Sequence, residues 1–129
     1  MLEAYAASNP NRVLAIPSLG QVRYLSAIKN SAAVIGNSSS GIVEVPSFDV
    51  PTVNIGVRQK GRLAAKSVLN AEPNTPSICS AINGAIAKDY KVEGEAVVNP
   101  YGQGNASEQL LQMIKDMKFN PCKQFFDIK

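Results

Sequence analysis

The sequence predicts an α/β domain: a parallel sheet covered by helices on both faces. Three observations carry that expectation. Short, nearly continuous apolar runs recur along the chain (VLAI, AAVIG, PTVNIG, SVLNA), as strands buried on both faces require. Segments with apolar residues three and four apart alternate with them, and the connections between strand-like and helix-like segments are short, which is the pattern of βαβ units. With 129 residues, 45% of them hydrophobic and 18% charged, the chain has room for one ordinary domain.

Taken in order, MLEAYAASN places Leu2 and Tyr5 on one helical face, and Pro10 stops it, so it reads as the end of a longer helix. RVLAIPSLG reads as a buried strand with its exit loop at Pro17, Leu19 and Gly20. QVRYLSAIKNS carries Val22, Leu25, Ala27 and Ile28 at near-helical spacing and ends on Lys29 and Asn30, an amphipathic helix. AAVIG is a second strand. NSSSGIVEVPSF offers N-caps ahead of Ile42 and Val43, giving a short helix that starts near Ser39 or Ser40 and breaks at Pro46. PTVNIG is a third strand, VRQKGR a donor-rich loop, and SVLNA a fourth, shorter strand. Ile78, Ala81, Ile82, Ala85 and Ile86 predict a helix from Pro76 to Ala87. NPYGQGNAS is a turn-rich loop, and SEQLLQMIKDM a helix with Leu110, Leu111 and Ile114 inward. The tail, residues 118–129, carries Phe119, Phe125 and Phe126, which predict a docking surface on another part of a larger protein or assembly.

Composition narrows the function. A net charge of +3 suits an anionic ligand but falls far short of a nucleic-acid coat; a nucleic-acid role would rest on Arg58, Lys60, Arg62 and Lys66 alone. The absence of histidine excludes a Ser-His-Asp triad and any His-ligated zinc within this chain. Cys79 and Cys122 cannot make a four-sulfur site, and two unpaired thiols fit a reducing cytoplasm. No apolar run is long enough to cross a bilayer as a helix, and no ligand cluster argues for a metal or a cofactor.

The chemistry concentrates in Gly36-Asn37-Ser38-Ser39-Ser40-Gly41. A strand ending in glycine, a serine-rich turn and then a helix start present free backbone N–H groups to an anion, with hydroxyls donating alongside. Gly36 and Gly41 would let a ligand approach the main chain. The same serines also satisfy a plain helix cap. Glu44, four residues after Ser40, shares a face with this bend, where its carboxylate can accept from a vicinal diol or simply complement the helix dipole. Arg58 follows the next strand, so parallel pairing brings it to the same sheet edge, and its planar fork suits a diphosphate. Lys60 and Arg62 fit a solvated cluster equally well. Of the carboxylates Glu44, Asp49 and Glu95, none has a partner base at useful spacing.

The ordered segments GNSSSG, VEVPSF, PTVNIG and RQKGR closely resemble the C-terminal domain of hydrolysing UDP-N-acetylglucosamine 2-epimerases of the sialic-acid branch. The likeness extends upstream through IPSLGQVRYLSAIKNSAAV and, more loosely, to GNAS and the closing helix. It implies a Rossmann-like half-domain of a two-domain, glycosyltransferase-B-type architecture, with residues 1–129 as one UDP-binding C-terminal domain truncated at its N-terminal side. It further implies that Ser38, Ser39 and the adjoining Ser40 and Gly41 amides hold the diphosphate of UDP. Glu44 would hold the ribose, Arg58 would lie by the diphosphate and departing sugar, and the Leu19 loop would lie against uracil through its backbone. The family's reaction eliminates UDP and adds water, giving N-acetylmannosamine and UDP without a cofactor. The family's N-terminal domain, its catalytic histidine and its proton-moving acids have no counterpart here, so this chain alone is expected to be inactive. Val57 stands where a small polar residue is expected. The expected partners are UDP or UDP-N-acetylglucosamine, the missing N-terminal domain and a second copy of the protein, in the cytoplasm, with neither nucleic acid nor membrane. Two other readings stay open: a stand-alone UDP-sugar-binding module, and the half-domain of a related UDP-sugar epimerase or glycosyltransferase.

Overall fold

A computed structural model describes residues 1–91, 96–102 and 104–118. Its centre is a parallel sheet of three strands in the order β1-β2-β3: β1 (Val34–Gly36), β2 (Thr52–Ile55) and β3 (Val68–Ala71). Val34 pairs with Thr52 and Gly36 with Asn54, while Thr52 pairs with Val68 and Ile55 with Ala71. Among the described residues five helices accompany it: α1 (Leu2–Ser8), α2 (Gly20–Lys29), α3 (Ser40–Val43), α4 (Thr75–Ala87) and α5 (Ala106–Asp116). A 3-10 turn, Val45–Phe48, follows α3 and holds Pro46 at its start, where a missing N–H costs nothing. The predicted α/β class with a parallel, helix-flanked sheet is what the chain adopts.

Alternation along β2 divides the sheet into two unlike faces. Val53 joins Ala71 and Ala85 of α4 in one buried cluster, completed by Ile55, Leu69, Ile78, Ala81 and Ile82. Thr52 and Asn54, both buried, alternate with these apolar residues, and the Thr52 hydroxyl donates to the Gly41 carbonyl of α3 at 2.7 Å. A second cluster, Ile28, Val45 and Val50 with Tyr24, Leu25, Val34 and Phe48, packs α2 against the 3-10 turn. Helix α4 starts on a side-chain cap, the Asn74 oxygen accepting from the Ser77 amide, and ends at Lys88 in the left-handed region.

Several expectations require correction. Val13–Ile16 forms no strand: none of the sheet's ladders includes it, and Leu14 and Ile16 are exposed. An apolar run becomes a strand only where a neighbour completes its hydrogen bonds, and among the described residues none does so here. Among the described residues the sheet therefore has three strands, and the segment expected as the fourth is β3. Val22 of α2 and Ile86 of α4 face outward, and α5 buries no residue, with Leu110, Leu111 and Ile114 all exposed. Amphipathic spacing specifies which face a helix would bury; it does not supply the surface that covers it. Tail residues 119–129, together with Glu95 and Cys122, lie outside the described residues, while Cys79 is free and exposed. Among the described residues no helix is long and apolar enough to cross a membrane.

Candidate functional site

The carboxyl ends of β1 and β2 lie side by side because Gly36 pairs with Asn54, and the loops leaving them define the site. The first loop, Asn37–Ser39, is exposed and leads into α3, with Ser39 at its N-cap. Ser39 spends no side-chain hydrogen bond on that cap, which separates it from the ordinary capping serine. Ser38 accepts a long 3.4 Å contact from the Ser40 amide, and its carbonyl accepts from the Gly41 amide at 3.2 Å. The Ser38 and Ser39 amides donate to no group among the described residues, so the bend keeps open donors on its outer side. A Cβ on Gly36 would meet nothing within 4 Å, leaving the main chain open to approach there.

Gly41 is glycine for a different reason. A Cβ at this position would sit 2.7 Å from Thr52 Cγ2, so its missing side chain lets α3 lie directly on β2. Ser40 likewise faces inward, its hydroxyl 2.6 Å from the Tyr24 hydroxyl of α2. That bond ties the serine bend to the wall of a neighbouring open depression of about 500 Å³, lined by Ile16, Pro17, Leu19 and Tyr24. Leu19 immediately precedes α2 as its N-cap residue.

Arg58 lies in the exposed loop after β2, and its guanidinium bonds to no other described residue. This loop is held against the serine bend by Gln59, whose Nε2 donates to the Asn37 carbonyl at 2.8 Å. The structure therefore brings Ser38, Ser39 and Arg58 to one edge, with Leu19 linked to them through Tyr24. Glu44, at the end of α3, faces a separate open depression of about 710 Å³ shared with Leu25, Phe48, Asn99 and Tyr101. Its amide donates to the Ser40 carbonyl at 3.0 Å, which keeps it one helical turn from the bend.

Four residues absent from the sequence reading organise this edge: Tyr24, Gln59, Asn99 and Tyr101. Asn99 donates to the Val43 carbonyl and the Ser47 hydroxyl at 2.8 and 2.7 Å, and so caps the end of α3 beside Glu44. The Tyr101 hydroxyl donates to the Leu63 carbonyl at 2.9 Å, and its ring lies under the Arg62 guanidinium, 5.9 Å away. A signal for Gln59 and Tyr101 existed: both stand inside polar loop segments, RQKGR and NPYGQG, where functional side chains concentrate. Among the described residues no group of histidine, cysteine and carboxylate side chains can hold a metal.

Comparison with known proteins places this arrangement. A family model described as UDP-N-acetylglucosamine 2-epimerase matches residues 1–115. The chain is 43% identical over 110 residues to the Polysialic acid biosynthesis protein P7 of Escherichia coli, covering 81% of this chain and 28% of that one. It is 40% identical over 91 residues to a GDP/UDP-N,N'-diacetylbacillosamine 2-epimerase (hydrolyzing) of Campylobacter jejuni, covering 70% and 23%. A UDP-N-acetylglucosamine 2-epimerase of Neisseria meningitidis is 28% identical over 121 residues, 92% of this chain and 32% of that one. The matched region thus spans less than a third of the length of each of these curated relatives. With its serine bend, its Arg58 loop and nearly its whole length inside the match, the chain belongs to the UDP-N-acetylglucosamine 2-epimerase family.

Proposed function

We propose that this chain is the UDP-binding portion of a hydrolysing UDP-N-acetylglucosamine 2-epimerase, acting in the cytoplasm to convert UDP-N-acetylglucosamine to N-acetylmannosamine and UDP for sialic-acid-type synthesis. The observation that carries the reading is the exposed Ser38-Ser39 bend, with two open amides and a free Ser39 hydroxyl, held beside Arg58 on the adjoining loop. In this reading the bend holds the diphosphate, Glu44 the ribose hydroxyls and the Leu19 loop the base. Breaking the bond between the sugar C1 and its oxygen leaves the electron pair on the β-phosphate, and Arg58 stabilises that charge where it develops. In this reading Glu44 is occupied by ribose, and Asp49 forms an ion pair with Lys91. In this reading the base that removes the C2 proton comes from the remainder of the full-length protein, and the chain alone has no turnover. The names of its relatives support both the hydrolysing outcome and the sialic-acid setting.

The test is ligand-induced stabilisation. UDP at about a hundredfold over its dissociation constant raises stability by ~2.7 kcal/mol, read as a shift in thermal midpoint. Ser39→Ala reduces that shift, and Glu44→Gln reduces discrimination between UDP and its 2',3'-dideoxyribose analogue. Equal binding by wild type and both variants rejects the site. The similarity to a diacetylbacillosamine epimerase favours one second reading, a diacetamido sugar in place of N-acetylglucosamine. Sugar release by this chain supplemented with the rest of the protein, assayed on both UDP-sugars, separates the two.

A further inference from the structure

Gln59 is one of the few buried polar side chains among the described residues, 7% exposed, although its polar neighbours Arg58, Lys60 and Arg62 are exposed. Both ends of its carboxamide are used. Nε2 donates to the Asn37 carbonyl at 2.8 Å, and Oε1 accepts from Arg62 Nη1 at 3.0 Å. The partners fix the orientation of the amide, since a carbonyl only accepts and a guanidinium only donates. Arg62 is itself seated on the Tyr101 ring, so the bridge is anchored on the side away from the bend.

The position of this bridge gives it consequence. Asn37 directly precedes the Ser38-Ser39 bend, and Gln59 directly follows Arg58. The Asn37 carbonyl and the Ser38 N–H belong to one planar peptide unit, so anchoring the carbonyl also fixes where that N–H points. The Arg58 stretch has backbone freedom to be constrained: Gly56 and Gly61 lie on either side of Arg58 and Gln59 at φ +75° and +83°. A diphosphate gripped from both loops needs them in register before it arrives, because ordering them on binding would cost affinity.

We propose that Gln59 is a positioning residue, which sets the Ser38 amide and the Arg58 loop at the spacing of one diphosphate without contacting the ligand. The proposal rests on the nucleotide reading above and adds to it which residue makes the two halves of the anion site act together. Gln59 therefore governs affinity for the diphosphate and leaves affinity for the nucleoside nearly untouched. A residue that merely supports the fold would weaken both ligands alike.

The experiment titrates the 129-residue chain with UDP and with uridine, followed by NMR shifts, which report weak binding directly. Gln59→Met keeps the side-chain length and removes the bridge. The expected result is a loss of about tenfold in UDP affinity with uridine changed by less than about twofold. A folded variant with an unchanged ratio of the two affinities overturns the proposal. Should that variant fail to fold, Arg62→Lys decides: it keeps the charge but loses the planar fork, and the ratio drops by a few-fold if the bridge matters and holds if it does not. Wild-type chain indifferent to UDP overturns the nucleotide reading itself, a result separable from a wild type that binds UDP while the variants keep its preference.

Discussion

The contact between Gly41 and Thr52 yields the sharpest quantitative test of how the site is built. Replacing Gly41 with alanine has an intrinsic benefit, since alanine favours helix over glycine by about 1 kcal/mol. Here the new Cβ would lie 2.7 Å from Thr52 Cγ2, against an optimum of about 3.5–4.0 Å between carbons, so α3 and β2 must separate by close to an ångström. Overpacking of this kind costs ~1–3 kcal/mol. Separation also stretches the 2.7 Å bond from the Thr52 hydroxyl to the Gly41 carbonyl, worth ~0.5–1.5 kcal/mol. The expected net is a destabilisation of about 1–3 kcal/mol. Thr52→Ser removes Cγ2 while keeping the hydroxyl, so in that background the clash vanishes and Gly41→Ala becomes neutral or slightly stabilising. A double-mutant cycle by urea unfolding should give a coupling of about 1–3 kcal/mol. Equal costs of Gly41→Ala in both backgrounds would refute the account.

Two further outcomes follow from local geometry. Lys88, exposed at the end of α4, adopts φ +61°, a conformation that costs a residue with a Cβ about 1–2 kcal/mol; Lys88→Gly should therefore stabilise the chain, by ~1 kcal/mol in urea unfolding, where an ordinary lysine-to-glycine change destabilises. The hydrogen bond from Lys91 to the Asp49 carboxylate raises the lysine's pKa above its usual range, so the stability this pair supplies is complete below the ordinary lysine pKa and is lost as pH rises through the raised one. Asp49→Asn keeps a residue tolerant of the left-handed backbone at φ +56°, and unfolding curves of variant and wild type should differ by a constant amount through neutral pH and converge in strong alkali.

What the sequence made legible was what depends on neighbours along the chain. Periodicity located α2 and α4 and the strands β1, β2 and β3, and the glycine-serine run located the bend. Burial was less accessible, because a pattern states what a face needs and not what lies opposite: Val13–Ile16 and α5 have the composition of buried elements without a cover among the described residues. The supports of the site were hidden for a related reason. Tyr24 reaches Ser40 across 16 residues, Gln59 reaches Asn37 across 22, and Asn99 reaches Val43 across 56. Gly41 was misread in its physical role, since a glycine that admits a ligand and a glycine that admits a neighbouring strand look the same in one dimension.

Those long-range bonds divide the work of the two sheet faces. On the α4 side, Val53, Ala71 and Ala85 bury apolar surface, a force proportional to area and indifferent to small rotations. On the α3 side β2 contributes Thr52, and the short helix, which buries Ile42, is also held by bonds to individual carbonyls: Thr52 to Gly41, Asn99 to Val43 and, just ahead of the bend, Gln59 to Asn37. Directional bonds define position more narrowly than apolar contact does, because they weaken steeply with angle. A helix of four residues has too little surface to be placed by burial alone. Thr52, a polar residue costly in a sheet built only for stability, is therefore part of what a bend requires if its amides are to meet a ligand in a fixed geometry.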